Sequence, residues 1–229
     1  MNAHRINEGK YPKLDNAEGT DFFYIAEDDP EKAAQLIVGL VKDRLPRFCH
    51  MNSSQIQVLT PMQRGVVGAS NLNTMLQDAL NPGGEALHRS GRAFRLHDKV
   101  MQIRNNYDKE VFNGDIGTIE NINLEDRELS VRIDDRSIIY DATELDELVP
   151  AYAITIHKSQ GSEYPVVVMP ILMTHYVMLQ RNLIYTGITR AKKLLVLVGS
   201  KKAISYAVRN VTVTKRNTRL RERLQKFAL

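Results

Sequence analysis

The sequence predicts an α/β protein whose parallel sheet is flanked by helices and interrupted by a small all-β insert. Strand-like apolar runs alternate with amphipathic helical stretches over residues 22–91 and again after residue 151. Between residues 92 and 150 the chain offers several short strands and no convincing helical pattern. Alternating strands and helices are typical of a parallel sheet, whereas closely spaced short strands are typical of a meander or small barrel.

The first elements follow a polar, turn-rich stretch over residues 1–21 that reads as the end of a helix running into a loop. Residues 22–25, FFYI, predict a strand because they are aromatic and β-branched. Asp29 can cap a helix and Pro30 suits its first position. Apolar residues at helical spacing follow, and Pro46 is expected to end this helix.

A second strand is expected over residues 56–59 and a second helix over 72–80, which Asn-Pro-Gly-Gly at 81–84 breaks. Turn residues then separate the short strands of the insert, for example at Asn113-Gly114 and at Asp134-Asp135. This change from long helical patterns to short strands places the start of the insert near residue 92.

After the insert, residues 153–156 and 166–169 predict buried strands. A helix is expected over roughly 178–192, then a strand over 194–198 and a helix from about Lys201. In parallel sheets function gathers at the carboxyl ends of the strands. The expected segments are the first part of the α/β domain (1–91), the insert (92–150), the second part of the α/β domain (151–208) and a basic tail (209–229).

Charge is divided unevenly along the 229 residues. Residues 1–150 hold 17 basic and 25 acidic residues, a net charge of −8, whereas residues 151–229 hold 14 basic and 2 acidic residues, a net charge of +12. This division indicates an anionic partner for the C-terminal third. An apolar fraction of 43% excludes disorder throughout. There is no apolar run long enough for a membrane helix and no signal peptide, and the single Cys49 excludes a disulfide framework, so a reducing cytoplasm is expected.

One candidate for chemistry is the loop after the strand at 153–156. A predicted buried strand is followed directly by a loop rich in hydrogen-bond donors. The candidate residues of this stretch are Thr155, His157, Gln160, Gly161 and Glu163. Such a loop suits contacts with the phosphates of a nucleotide or a nucleic-acid backbone. An ordinary solvated strand–loop turn explains the local pattern equally well.

A second candidate is the stretch 179–193, in which polar Asn182, Thr186, Thr189 and Arg190 follow helical spacing. An arginine on a packed helix can present a fork of donors to a transferring phosphate. By spacing alone, a solvated helix face with a basic last turn is the favoured explanation.

A third, weaker candidate is Gln63-Arg64, which follows the strand at 56–59. The chain has no G-x-x-x-x-G-K-[ST] motif and no apolar strand ending in an Asp-Glu pair, so it cannot hydrolyse ATP alone in the P-loop manner. Its six histidines show no ligand spacing, and no metal site is expected.

Four collinear segments resemble RecD-like DNA helicases, the exodeoxyribonuclease V α-subunit family in the 5′→3′ branch of superfamily 1. AYAITIHKSQGSEYPVVV is similar to motif V, NLIYTGITRAKKLLVLVG to motif VI and QVLTPMQRGVVGASNLN to the motif IV region. DKVMQIRNNYDKEVFNGDIGTI resembles the opening of the family's SH3-like barrel. The resemblance implies a second RecA-like motor domain with an inserted SH3-like barrel, in a chain that starts just after the P-loop domain.

The resemblance also implies roles for individual residues. Arg190 matches the arginine finger that stabilises charge on the γ-phosphate. The matches for nucleotide contacts are Arg64 or its neighbour Gln63, Gln160, Gly161 and Glu163. Those for DNA contacts or their coupling to ATP are Thr155, His157, Asn105, Asn106 and Asn113.

ATP and Mg²⁺ are expected only in the complete enzyme, and neither is expected on this fragment. The expected partners are single-stranded DNA, the missing P-loop domain and other recombination or repair proteins, with no membrane. Residues 93–150 carry 7 basic and 14 acidic residues, so the insert should touch DNA only through residues 95–113, which hold four cations. These cations are Arg95, Lys99, Arg104 and Lys109.

Two other classes of function remain open: a stand-alone, non-catalytic nucleic-acid-binding protein supported by the basic stretch 209–226, and a protein-interaction module built on the barrel. Within the helicase class, a free-standing RecD-like enzyme, a subunit of a RecBCD-type complex and a conjugative relaxase-helicase are all compatible with the sequence.

Overall fold

The computed structural model describes residues 2–211 and residue 225. The helices, in chain order, are α1 (Asn2–Asn7), α2 (Pro30–Gly39), α3 (Leu45–Cys49), α4 (Ala69–Leu80), α5 (Arg181–Ile188) and α6 (Lys201–Arg209). The strands, in chain order, are β1 (Phe22–Ala26), β2 (Ile56–Thr60), β3 (Ala86–Arg89), β4 (Arg92–Arg95), β5 (Lys99–Gln102), β6 (Ile116–Asn123), β7 (Glu128–Ile133), β8 (Arg136–Tyr140), β9 (Leu148–Pro150), β10 (Ala153–Thr155), β11 (Tyr164–Ile171) and β12 (Ala191–Gly199).

The main sheet has five parallel strands in the order β1-β12-β11-β2-β10, which confirms the predicted α/β class. Successive strand residues point to opposite faces, so each strand feeds two cores. Leu59 and Val167 pack with α1, α5 and α6 on one face, and their neighbours Val58 and Val166 pack with α2, α3 and α4 on the other. Helices therefore cover both faces of the sheet.

The start of α2 follows the sequence prediction. The Asp29 side chain accepts hydrogen bonds from the backbone N–H groups of Lys32 (3.1 Å) and Glu31 (2.9 Å), which lower its pKa, and Pro30 is the first helical residue. The expected end at Pro46 is wrong. Helical backbone continues through a π-helical turn over Leu40–Arg44 into α3, where Pro46 lies in the first turn and needs no N–H partner.

The helix expected over 178–192 is also shorter than predicted. A 3₁₀ segment occupies Met173–Met178, α5 covers only Arg181–Ile188, and the chain enters β12 at Ala191. Ala191 pairs in parallel with Tyr164 of β11. Sheet pairing therefore overrides the helical spacing of the last residues, and Arg190 lies in the turn between helix and strand.

The insert consists of a two-stranded hairpin, β3–β4, and a five-stranded antiparallel sheet in the order β8-β7-β6-β5-β9. Its β structure starts at Ala86, somewhat before residue 92. The insert has its own core, which includes Phe94, Ile119, Val131 and Tyr140. The all-β character predicted for this part of the chain is confirmed.

The insert is joined to the α/β domain through the buried carboxylate of Asp98. This carboxylate accepts hydrogen bonds from Gln77 (2.5 Å) and Asn81 (2.8 Å) at the end of α4, from Tyr152 Oη (2.9 Å) and from the Arg95 backbone N–H (2.7 Å). Four donors around one charge compensate its burial and hold the insert in a defined position.

Within the described part of the chain, no helix combines the length and the apolar character needed to cross a bilayer. Most of the predicted basic tail, residues 212–224 and 226–229, lies outside the described residues.

Candidate functional site

The first candidate loop begins where β10 ends. Thr155 is the last strand residue, and Ile156–Ser159 form a 3₁₀ turn rather than the end of the strand. Ser159 is buried and donates a 2.7 Å hydrogen bond to the Ile156 carbonyl, which closes the turn. Because Ile156 and Ser159 are both buried, His157 and Lys158 between them face solvent.

Lys158, which sequence reasoning did not single out, faces a second cation. Desolvation of its ammonium group by neighbouring atoms lowers the pKa of Lys158, and the nearby positive charge of Arg92 on β4 lowers it further. Arg92 donates to the Leu148 carbonyl (3.2 Å), and neither cation takes part in an ion pair between described residues. Two uncompensated cations that repel one another favour an anion such as a phosphate between them.

The rest of the loop runs back to the amino end of β11. Gln160 and Gly161 are exposed, and Gly161 has a φ of 88°, a left-handed conformation that favours glycine. Glu163 forms a half-exposed ion pair of 3.1 Å with Lys192, a pair of little energetic weight.

Arg190 lies beside this loop. Its guanidinium donates to the Ser162 carbonyl (3.1 Å), the Thr186 carbonyl (3.2 Å) and Thr189 Oγ1 (3.2 Å), and its own carbonyl accepts from the Tyr164 backbone N–H (2.8 Å). All three oxygens that receive its hydrogen bonds are neutral. No carboxylate of a described residue pairs with this half-buried cation, so its charge stays available to an anion.

The polar face predicted around Arg190 is present in altered form. Thr186 Oγ1 donates to the Asn182 carbonyl (2.8 Å) and Thr189 Oγ1 to the Thr186 carbonyl (2.9 Å). Both hydroxyls therefore donate to backbone carbonyls of α5. Arg190 lies two residues beyond the last helical residue, Ile188.

Gln63 and Arg64 lie elsewhere. They follow the carboxyl end of β2, whereas Glu163 and Arg190 precede the amino ends of β11 and β12. All three strands are parallel, so these residues lie at opposite edges of the sheet, separated by the length of β2, about 13 Å at about 3.3 Å per residue. Gln63 donates to Ser70 Oγ (2.9 Å) at the start of α4, and Arg64 is exposed. The structure therefore does not bring Arg64 together with Arg190.

The three predicted asparagines of the insert lie in one loop, and the side chains of two of them hold its backbone. Asn105 Oδ1 accepts from the Asn113 N–H (2.9 Å), and Asn106 Oδ1 accepts from the Lys109 N–H (3.2 Å). The same loop exposes Tyr107 and Phe112, two aromatic residues that sequence reasoning missed although they interrupt a polar, turn-rich stretch.

Most cations of the 95–113 face serve internal contacts. Arg95 pairs with Asp78 (2.9 Å), Lys109 pairs with Glu144 (2.5 Å), and Lys99 donates to the Ser54 carbonyl (3.0 Å). Arg104 has no ion pair with a described residue. The electrostatic attraction that the sequence predicts for this face is therefore largely compensated. Among the described residues there is also no group of three or more histidine, cysteine, aspartate or glutamate side chains placed to hold a metal ion.

Comparison with family models gives two matches. Residues 72–133 match the SH3 domain of ATP-dependent RecD-like DNA helicases, and residues 150–198 match the UvrD-like helicase C-terminal domain. The parallel sheet with helices on both faces, together with these two matches, defines a RecA-like domain of the kind found in helicases, with an inserted SH3-like barrel.

The similar proteins specify the family. The chain is 33% identical over 223 residues to the ATP-dependent RecD2 DNA helicase of Deinococcus radiodurans, covering 97% of this chain and 29% of that protein. It is 30% identical over 156 residues to the RecBCD enzyme subunit RecD of Haemophilus influenzae, covering 68% of this chain and 23% of that protein. The chain belongs to the RecD-like DNA helicases. It spans less than a third of the length of either relative.

A solved structure supports the fold. The chain aligns over 99% of its length with 52% of the Pif1 helicase from Bacteroides in complex with ADP-AlF3 and single-stranded DNA, with a TM-score of 0.52 and 15% identity. This similarity shows a shared fold.

Proposed function

We propose that this chain is the second motor domain of an ATP-dependent 5′→3′ DNA helicase that translocates on single-stranded DNA. In this proposal it supplies an arginine finger and a DNA grip to a P-loop domain, and alone it hydrolyses no ATP. The observation that carries the proposal is the guanidinium of Arg190, held by three neutral oxygens beside the 160–163 loop, without a carboxylate partner among the described residues.

This arrangement suits charge stabilisation. ATP bound against the P-loop domain would supply the phosphoryl group for hydrolysis. Arg190 is already oriented by the Ser162 and Thr186 carbonyls and would lose little side-chain entropy on meeting the γ-phosphate. Because Ser162 lies between Gly161 and Glu163, the guanidinium is tied to the loop in which Gln160, Gly161 and Glu163 are proposed to contact the nucleotide.

The DNA grip is proposed to lie next to the same loop. Thr155 and His157 begin the 3₁₀ turn that continues into the 160–163 loop, so a backbone contact there is linked through a few residues to the nucleotide side. Closing and reopening of the cleft between the two motor domains would move this turn along the DNA strand. Asn105 and Asn106 would then act mainly by shaping the barrel loop, since their Oδ1 atoms accept from its backbone N–H groups, and Asn113 would contribute through its exposed side chain.

The experiment is Arg190→Ala in the enzyme assembled with its P-loop domain. We expect ATP hydrolysis to fall by about 10³-fold or more, the range of a lost arginine finger, while single-strand affinity stays within about twofold. Lys193→Ala is the matched control, because it removes an exposed positive charge from the same edge of the sheet and should leave hydrolysis unchanged. Loss of DNA binding with normal hydrolysis would contradict the assignment.

A further inference from the structure

The barrel loop between β5 and β6 presents two aromatic rings to solvent. Tyr107 is 75% exposed and Phe112 is 46% exposed, and their centroids lie 6.1 Å apart with the planes at 76°. Neither ring belongs to the barrel core, whose residues are buried separately. A contiguous pair of exposed aromatic rings with no packing role indicates contact with a ligand.

Hydrogen bonds hold the backbone of the loop that carries these rings. Asn106 and Val111 exchange two backbone hydrogen bonds of 2.8 and 3.0 Å, and Val111 is fully buried in the barrel. Glu110 adopts a left-handed φ of 52°, which closes the turn before Val111. Little backbone entropy would therefore be lost when a ligand stacks on the two rings.

The surroundings of the rings favour nucleic acid over an apolar peptide. Polar side chains flank them, and Asn105 Nδ2 donates a 3.4 Å hydrogen bond to Tyr107 Oη, which ties the ring to the loop. Arg104 precedes the loop and has no ion pair with a described residue. Since the other cations of the 95–113 face are engaged internally, a strand bound here would depend on its bases more than on its phosphates.

We propose that Tyr107 and Phe112 form a stacking site for the bases of single-stranded DNA, with Arg104 contacting a neighbouring phosphate. This inference rests on the proposed function and adds to it a base-directed contact on the barrel. The barrel then holds bases while the RecA-like domain holds backbone. Sequence preference is not needed, because every base offers a π-face.

The test compares binding of the full chain to a fluorescent oligothymidylate and to an abasic strand of equal length. Wild type should bind the intact strand more tightly, and Tyr107→Ala and Phe112→Ala should each weaken that binding by about tenfold while leaving abasic affinity unchanged. Tyr107→Phe should keep wild-type affinity and Tyr107→Leu should not, because only the first retains the aromatic face. Tyr176→Ala is the matched control, since that tyrosine is 58% exposed outside the barrel.

The outcomes separate the two proposals. Equal affinity of wild type for intact and abasic strands would overturn the stacking site and leave a phosphate-based grip standing. Absence of binding to either strand would overturn both proposals. Circular dichroism of each variant checks folding, and the exposed rings should be removable without loss of structure. A wild-type-like Tyr107→Leu variant would also contradict the stacking site.

Discussion

Gly187 shows how a single residue sets the position of the candidate site. A Cβ at this point of α5 would lie 2.6 Å from Met169 Sδ and 3.3 Å from Ile156 Cδ1, and both neighbours are fully buried. The absence of a side chain therefore lets α5 approach β11 and the 3₁₀ turn after β10 closely. This close approach places the end of α5, and with it Arg190, beside the 160–163 loop.

We expect Gly187→Ala to lower the free energy of unfolding by about 1–2 kcal/mol, because overpacking outweighs the better helix propensity of alanine. Urea unfolding measures the change. Gly39→Ala is the control, since a Cβ there meets nothing within 4 Å and φ is negative. That variant should gain up to about 1 kcal/mol. Equal effects of the two substitutions would contradict the packing argument.

His175 gives the protein a pH dependence. The imidazole is buried, burial lowers its pKa to about 4, and its Nε2 has no hydrogen-bond partner. The unfolded chain binds a proton near pH 6.5 and the folded chain only near pH 4, so stability is complete above pH 6.5 and is lost as the pH falls toward 4. At pH 5 the loss should be about 2 kcal/mol.

Urea midpoints at pH 7.5 and pH 5 check this expectation in wild type and in His175→Leu, which should lose the His175 part of the difference. His88→Gln is the control, because His88 is exposed on β3 and its replacement should leave the pH dependence intact. A pH dependence as large in His175→Leu as in wild type would show that another group is responsible.

At the residue scale, local chemistry was readable from the sequence. The Asp29 side chain bonds backbone groups no more than three residues away, and the helix cap predicted from Asp29 and Pro30 is present. The position of Arg190 beside Ser162 depends on residues 28 positions apart and could not be read from local spacing. The exposure of Tyr107 and Phe112 likewise follows from the bridge between Asn106 and Val111.

At the element scale, the junction between the barrel and the RecA-like domain depends on Asp98. Asp98→Ala would leave the side chains of Gln77, Asn81 and Tyr152 without their buried acceptor. We expect a loss of about 3 kcal/mol, since unsatisfied buried donors cost about 1–3 kcal/mol each and partial rearrangement recovers some of it. Thermal and urea unfolding of the variant measure the loss.

Asp78→Ala is the matched control for Asp98. Asp78 pairs with Arg95 at the same junction, but its side chain is 60% exposed, so its removal should cost at most about 1 kcal/mol. A loss for Asp98→Ala no larger than that of Asp78→Ala would show that the buried carboxylate is not what holds the barrel.

The element predictions failed where long-range pairing decided the outcome. The order of strands and helices followed from apolar periodicity, since each element has its own pattern. The end of α5 could not be predicted in this way. The sequence pattern of residues 189–193 continues the helical spacing, but Ala191 pairs with Tyr164 in the sheet. Pro46 misled in a different way, since a π-helical turn lets a new helix begin around it.

At the scale of the whole molecule, the insert and the region around Lys158 and Arg92 differ in how far their positive charges are paired. Carboxylates pair with Arg95, Lys109, Arg132 and Arg136 of the insert. Among the described residues no carboxylate pairs with Lys158 or Arg92, which lie where the β3–β4 hairpin approaches the 3₁₀ turn after β10. Phosphate attraction should therefore concentrate at this meeting point and base contacts on the barrel loop. The salt dependence of binding distinguishes the two, because only phosphate contacts release counterions.

We expect Lys158→Gln and Arg92→Gln each to weaken binding of single-stranded DNA at low salt and to reduce the slope of log affinity against log salt concentration by about 0.7. Fluorescence anisotropy over a series of potassium chloride concentrations measures this slope. Lys42→Gln is the control: it removes an exposed cation from the π-helical turn on the opposite face of the sheet and should leave the slope unchanged. Tyr107→Ala should lower affinity without changing the slope, since a stacked base releases no counterion. An unchanged slope in both Lys158→Gln and Arg92→Gln would show that the phosphates are bound elsewhere on the molecule.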